Sequence, residues 1–360
     1  MTAEYQKIPA LVDPHVHLRE PGAEWKESFR TGSMAAIAGG YEVVLDMPNN
    51  PGTDATTTPE ALYRKWRRTE DGIFCDVGFH LGATAKNSEY FNMVKSLVFG
   101  LKIYMNHTTG DLLMEDPNNL QRVFERWPRG KPIMVHAEGE TLEKAINLAR
   151  LNNQILHVAH VATAEEVGMI RKAKEAGLPV TCEVTPHHLF LTEADEQYLG
   201  PFGKMRPPLG TAADQFALWQ YLHSGVIDMI ATDHAPHTRK EKLSDNPPFG
   251  VPGLETTLPL LLTAIAEQRL SLEDVVRLTS TNPRKIFGLP KATDESYVLL
   301  DLEHSGFISS DNLRTKCGWT PFEGVRVTGR IAKVVFKGHA VFDGENVVGE
   351  PRGEVIFPER

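Results

Sequence analysis

His15-Val16-His17, inside Leu11-Val12-Asp13-Pro14-His15-Val16-His17-Leu18-Arg19-Glu20-Pro21-Gly22, is the first stretch of this chain with chemistry to offer. Side chains along a strand repeat with period two, so both imidazoles leave on one side and make half of a divalent-metal site. Alone, the pair equally describes two polar residues on a half-buried strand. Four further positions shift the balance. Lys102 lies in Gly100-Leu101-Lys102-Ile103-Tyr104, His136 in Val135-His136-Ala137-Glu138, His160 closes His157-Val158-Ala159-His160, and Asp233 lies in Ala231-Thr232-Asp233-His234-Ala235-Pro236-His237. A strand-end histidine has an ordinary hydrogen-bonding explanation. A lysine within an apolar strand does not, because an unpaired buried ammonium is costly. Together these side chains read as a metal site.

The elements that would position them alternate. Strands are expected at 10–16, 42–47, 76–81, 101–105, 133–136, 155–160, 180–184 and 229–232, mostly apolar throughout, as parallel strands covered on both faces are. Helical stretches are expected at 25–38, 59–68, 89–98, 117–126, 140–151, 164–176 and 214–223. Thr163, with Glu166 three residues on, is a capping box for the helix that ends at Gly177. Helices at 254–267 and 272–279 and a short turn at 282–287 follow the eighth strand. This is the pattern of an α/β protein, a (β/α)8 TIM barrel, whose strand ends converge on one bowl. A doubly wound sheet is disfavoured, since no Gly-x-Gly-x-x-Gly follows an early strand. Beyond Pro290 the pattern turns β-rich, with strands at 297–302 and 330–342 and a turn at Gly338-His339. We therefore expect a barrel over 10–290 and a small β-rich appendage over 291–360. The Pro- and Gly-dense loops 201–210 and 239–253 are long enough to suspect a role in function.

Composition narrows the partners. Apolar residues make up 41% and charged ones 24%, as in a globular protein with a sizeable core. A net charge of −9 argues against nucleic-acid or anionic-membrane surfaces, though local cations can still capture a small anion. Cys75, Cys182 and Cys317 are too scattered for a disulfide framework or a thiolate zinc site. With neither a spanning apolar run nor a signal-peptide pattern, a cytoplasmic location is expected.

The chain resembles the cyclic amidohydrolases, and among them the dihydroorotases, most of all those within animal multifunctional pyrimidine-synthesis proteins. The resemblance rests on Asp13–Gly22, Met47-Pro48-Asn49, Gly100–Asn106, Val135–Glu138, Pro179–Phe190, Ala231–His237, Gly253–Thr263 and Trp319–Gly324. It implies two zinc ions, one held by His15, His17 and Asp233 and the other by His136 and His160, bridged by Lys102 carboxylated on its amine. It further implies a metal-bound hydroxide as nucleophile and Asp233 as general acid and base. The reaction implied is the reversible closure of N-carbamoyl-L-aspartate to L-dihydroorotate. Arg19, Asn49, Arg206 and His237 would contact the substrate carboxylate, and Pro252 and Gly253 would present backbone groups to its ring.

Residues 106–113 would form a mobile loop over the bowl. Relatives place Thr then Phe there, whereas this chain has Thr108-Thr109, which keeps a hydroxyl and lacks the apolar plug. Animal relatives have cysteine where this chain has Ala159, so two metals rather than three are expected, with Glu183 orienting a ligand histidine. His157, His187, His188 and His234 are read as packing or supporting residues, and Cys182 as a small core residue. Two alternatives stand beside dihydroorotase: a hydantoinase- or allantoinase-type cyclic amidase, and a non-catalytic scaffold for aspartate transcarbamoylase. By resemblance the chain would form a homodimer, and association with aspartate transcarbamoylase is open to an active enzyme as well.

Overall fold

The structure, a computed structural model, describes residues 5–358. After β1 (Gln6–Pro9), the strands run β2 (Leu11–Val16), β3 (Tyr41–Asp46), β4 (Asp76–Phe79), β5 (Leu81–Gly82), β6 (Leu101–Tyr104), β7 (Ile133–His136), β8 (Leu156–Val158), β9 (Val180–Val184) and β10 (Met229–Ile230). β2 to β4 pair in parallel in one arc and β5 to β10 in a second. The arcs join around His80, whose N–H donates to the Asp46 carbonyl (3.1 Å), while the Leu81 N–H donates to Gly100 (3.0 Å). They close where Val16 bridges His234 and the His17 N–H donates to the His234 carbonyl at 2.8 Å. The ring is the expected (β/α)8 barrel.

Alternation along these strands sorts their side chains. Leu101, Ile103, Ile133, Val135, Leu156 and Val158 pack outward into the main apolar cluster shared with the helices. Their neighbours Lys102, Met134, His157 and Thr181 lie side by side in register, forming a layer across the opposite face, inside the barrel. Val12, Val43, Leu45, Met229 and Phe287 fill the interior with them.

The helices follow the sequence with instructive shifts. Pro117–Arg126 and Asn282–Phe287 fall where expected, and Thr163 caps Ala164–Glu175 in the expected box. Such a cap stabilises a helix by about 1 kcal/mol. The helix expected from residue 25 starts at Phe29, because Ser28 and Thr31 form a capping box there. The stretch 89–98 yields only Phe91–Val94, preceded by a tight turn at Asn87–Glu89. That turn is fixed by Asn87, whose amide donates to the Thr57 and Gly82 carbonyls. Leu272–Val276 runs into a wide π turn, Arg277–Thr281, since Pro283 has no N–H for the preceding turn.

A four-stranded antiparallel sheet completes the molecule: β11 (Tyr297–Phe307), β12 (Arg326–Phe336) and β13 (His339–Phe342), with β1 as its first strand beside β11. The turn between β12 and β13 is Lys337-Gly338, one residue earlier than expected. Both residues have positive φ (49° and 78°), as a two-residue hairpin turn whose twist matches its strands requires. Near its end the chain returns to the barrel, the Val77 N–H donating to the Glu354 carbonyl at 2.9 Å. Among the described residues, no helix is long and apolar enough to cross a membrane.

Candidate active site

The C-terminal ends of the barrel strands surround a cavity lined by His15, His17, His136, His160 and Asp233 along with Arg19, Asn49, Thr108, Thr109 and Arg206. His15 lies in β2 and His17 directly after it, His136 ends β7, and His160 and Asp233 lie just past β8 and β10. Arg19, His160 and Asp233 have positive φ (66°, 36° and 47°), strain that a non-glycine residue bears only where its surroundings enforce it.

One ligating atom from each of His15, His17 and Asp233 lies within 4.8 Å of the others. Asp233 Oδ1 is 3.0 Å from His17 Nε2 and 3.3 Å from His15 Nε2. The opposite ring nitrogens are already engaged: His15 Nδ1 by Glu183, and His17 Nδ1 by Asn49 Oδ1 at 2.7 Å. Those acceptors hold a proton on each Nδ1 and leave the Nε2 lone pairs facing Asp233, the arrangement by which outer carboxylates and amides orient metal-binding imidazoles. Glu183 also accepts from His157 Nε2 (2.9 Å) and the His160 N–H (3.3 Å), so it spans the two halves of the site.

On the other half, His136 Nδ1 is 2.9 Å from His160 Nε2, and His136 Nε2 faces Glu138 at 3.2 Å. Burial disfavours the charged form of His17, His136 and His160: it pushes His17 down to about 3, lowers His136, and takes His160 well below the usual range. Neutral imidazoles beside an ionised carboxylate are the ligating forms.

Lys102 is fully buried, and its Nζ has no hydrogen-bond partner. Burial lowers its amine to about 8, against the pull of Glu183 and Asp233. The Tyr104 hydroxyl at the cavity wall and His160 Nδ1 are likewise buried without partners. An unpaired amine, an orphan imidazole nitrogen and a converging His–His–Asp set suit a cationic group held among them.

The substrate-side expectations divide. Arg19 and Arg206 reach the cavity, and Thr108 and Thr109 line it. Asn49 does so too, yet its amide is spent on His17 and on the Thr109 carbonyl (3.1 Å). The ring of His237 stands behind Arg19, between Lys26 Nζ (3.1 Å) and the Phe249 carbonyl (2.9 Å). Lysine only donates and a carbonyl only accepts, which fixes the proton on Nε2. Burial, with Arg19 and Lys26 nearby, holds that imidazole far below its ordinary range. Pro252 and Gly253 line a separate small cavity beside His234, since the Gly253 N–H donates to His234 Nδ1 at 3.2 Å. Phe249 and Gly250 take the cavity wall in their place. Sequence reasoning missed Tyr104, although it stands two residues after Lys102 on the same strand. Phe249 gave no signal.

The barrel and this cavity define a class. The profile of the amidohydrolase family matches residues 7–341, and the chain belongs to that family. Within it, the chain is 45% identical over 352 residues to the multifunctional protein CAD of Squalus acanthias, covering 97% of this chain and 16% of that protein. It is 35% identical over 380 residues to the dihydroorotase of Halobacterium salinarum, covering 96% and 88%. The chain thus spans about a sixth of the multifunctional relative's length. Among solved structures, the L-hydantoinase (dihydropyrimidinase) from Arthrobacter aurescens superposes with a TM-score of 0.90 at 25% identity, covering 99% of this chain and 89% of that one. The inactive dihydroorotase-like domain of the Chaetomium thermophilum CAD-like multifunctional protein superposes with 0.83 at 26%, covering 98% and 99%.

Proposed function

We propose that this chain is a dihydroorotase, a metal-dependent cyclic amide hydrolase that interconverts N-carbamoyl-L-aspartate and L-dihydroorotate in pyrimidine synthesis. The observation that carries this reading is one cavity holding both the His–Asp set and two guanidinium groups, Arg19 and Arg206. An anionic ring amide needs both.

His15, His17 and Asp233 would hold one divalent ion and His136 and His160 a second, zinc in our reading, which when bound activate water and polarise the amide carbonyl. Lys102 would lie between them as a carbamate. Its depressed amine supports this: the neutral form adds CO2, loses a proton and becomes an anion, which removes the cost of a buried, unpaired ammonium. Asp233 accepts a proton from the attacking water and delivers it to the departing ring nitrogen, and ring closure uses the same atom in reverse. Arg19 and Arg206 hold the substrate carboxylate, with Arg19 Nε anchored from behind by the Pro236 carbonyl at 3.1 Å. Thr108 and Thr109 line the cavity, where Thr108 offers a hydroxyl to the substrate. Glu183 orients His15. A homodimer, and association with aspartate transcarbamoylase, belong to the same proposal on the strength of the family resemblance.

The superposition on an inactive dihydroorotase-like domain favours a second reading, a non-catalytic scaffold, and the hydantoinase superposition a third. Metal content by mass spectrometry, on the preparation used for a spectrophotometric dihydroorotate assay, separates them. About two metals per chain with turnover of dihydroorotate supports the first reading. A folded, metal-free protein that zinc does not activate supports the scaffold, and turnover of hydantoin alone the third.

A further inference from the structure

We infer that Phe249 is a specificity-determining residue of the cavity: its ring orients Arg206 toward a substrate carboxylate, and its backbone carbonyl anchors the 106–113 loop. This deepens the dihydroorotase reading and rests on it.

Phe249 is the one large, purely hydrocarbon side chain in a wall otherwise built from histidines, arginines, hydroxyls, Asn49, Asp233 and the small Ala235 and Gly250. The Arg206 guanidinium carbon lies 4.9 Å from its ring centroid, and Lys204 Nζ lies 4.8 Å from the same ring. Arg206 Nε is buried with no acceptor, so the guanidinium is held by this face and keeps donors for an incoming anion.

The backbone around the ring has little freedom. The Phe249 carbonyl accepts from Thr109 Oγ1 (3.2 Å) and His237 Nε2 (2.9 Å). Lys242, fully buried, donates from Nζ to the carbonyls of Pro248 (3.0 Å), Gly250 (3.1 Å) and Lys204 (2.9 Å). One ammonium therefore ties both sides of Phe249 to the loop that carries Arg206. Gly250 adds a steric lock: at φ +128°, a Cβ there would stand 2.6 Å from the Ala235 carbonyl oxygen. The ring is thus in place before substrate arrives, which spares the cost of ordering it on binding.

The test is steady-state kinetics on the metal-loaded chain with L-dihydroorotate and with hydantoin, a cyclic amide that lacks the carboxylate. Phe249→Ala raises KM for dihydroorotate roughly 3- to 30-fold, by more than it lowers kcat, and shifts KM for hydantoin less. Phe249→Tyr, which keeps the aromatic face, restores KM to within about twofold of the parent. Should the alanine variant fold poorly, Phe249→Leu keeps the apolar bulk without the π face, and its KM for dihydroorotate still rises. A parent that is active, with a leucine or alanine variant whose KM for dihydroorotate stays where it was, overturns the inference alone. A parent that neither turns over nor binds dihydroorotate overturns the dihydroorotase reading and this inference together.

Discussion

Lys65→Met removes a buried ammonium and keeps the length of the side chain. In the parent, Lys65 Nζ lies 2.6 Å from Asp46 Oδ2, and neither side chain is more than 1% exposed. Nζ also donates to the Met47 carbonyl (2.7 Å) and to Asn50 Oδ1 (2.9 Å). Asp46 in turn accepts the Leu18 N–H at 2.7 Å. One ion pair thus fixes the backbone between His17 and Arg19 and the segment that carries Asn49. Burial drives the lysine down and the aspartate up, and their attraction opposes both shifts. Deleting one partner of such a pair costs about 3–5 kcal/mol, because the other charge stays buried and unpaired. Over 360 residues, with an unfolding entropy of about 2.1 cal/mol/K per residue, the loss converts to a Tm drop of roughly 4–7 °C. Scanning calorimetry reads it directly. The double variant Lys65→Met/Asp46→Leu removes both charges and regains most of that Tm, less about 1 kcal/mol for the Leu18 N–H left without its acceptor. A single variant within about 1 °C of the parent, or a double variant less stable than the single, refutes this account of the pair.

Three shorter predictions follow from other parts of the site. Lys102→Ala loses metal and activity together, and short carboxylic acids recover part of both; full metal content with full activity removes the bridging role. Burial raises the Asp13 carboxyl to about 8, so the folded chain binds a proton that the unfolded chain releases near 4, and parent stability falls as pH rises between those values. Asp13→Asn lacks that titration, so its Tm relative to the parent climbs by more than about 2 °C from pH 5 to 8, and a constant difference contradicts the assignment. Thr109→Val deletes the hydroxyl that donates to Phe249 at 3.2 Å, and KM for dihydroorotate rises about two- to tenfold. A KM equal to the parent's shows that this hydrogen bond does not hold the loop.

The sequence disclosed the parts of the site that depend on periodicity. His15 and His17 share a side because strands alternate, and Lys102 was conspicuous because an apolar strand offers an ammonium nothing. The barrel was legible for the same reason, and Pro117–Arg126 even to the residue, with Asp116 as N-cap and proline in its first turn. What depends on closure through space was not legible. β1 is too short to signal itself and exists because β11 offers it an edge. Phe249 reaches the cavity through hydrogen bonds from Lys242, whose partners are separated from it by as many as 38 residues. His237 and Gly253 were placed by motif, and only the loop's three-dimensional path shows that one stands behind Arg19 and the other turns toward His234.

The pairing of β1 with β11 also sets an order of events at the ribosome. Gln6 faces Leu300 and Pro9 faces Tyr297, so β1 waits for a partner nearly three hundred residues later. At about 5–20 residues per second, that interval is roughly 15–60 s. The barrel seam, Val16 against His234, also forms late in synthesis, and it is the same event that brings Asp233 to His15 and His17. A nascent chain stalled before Asp233 therefore exposes an open β2 edge and keeps His15 and His17 from their carboxylate neighbour.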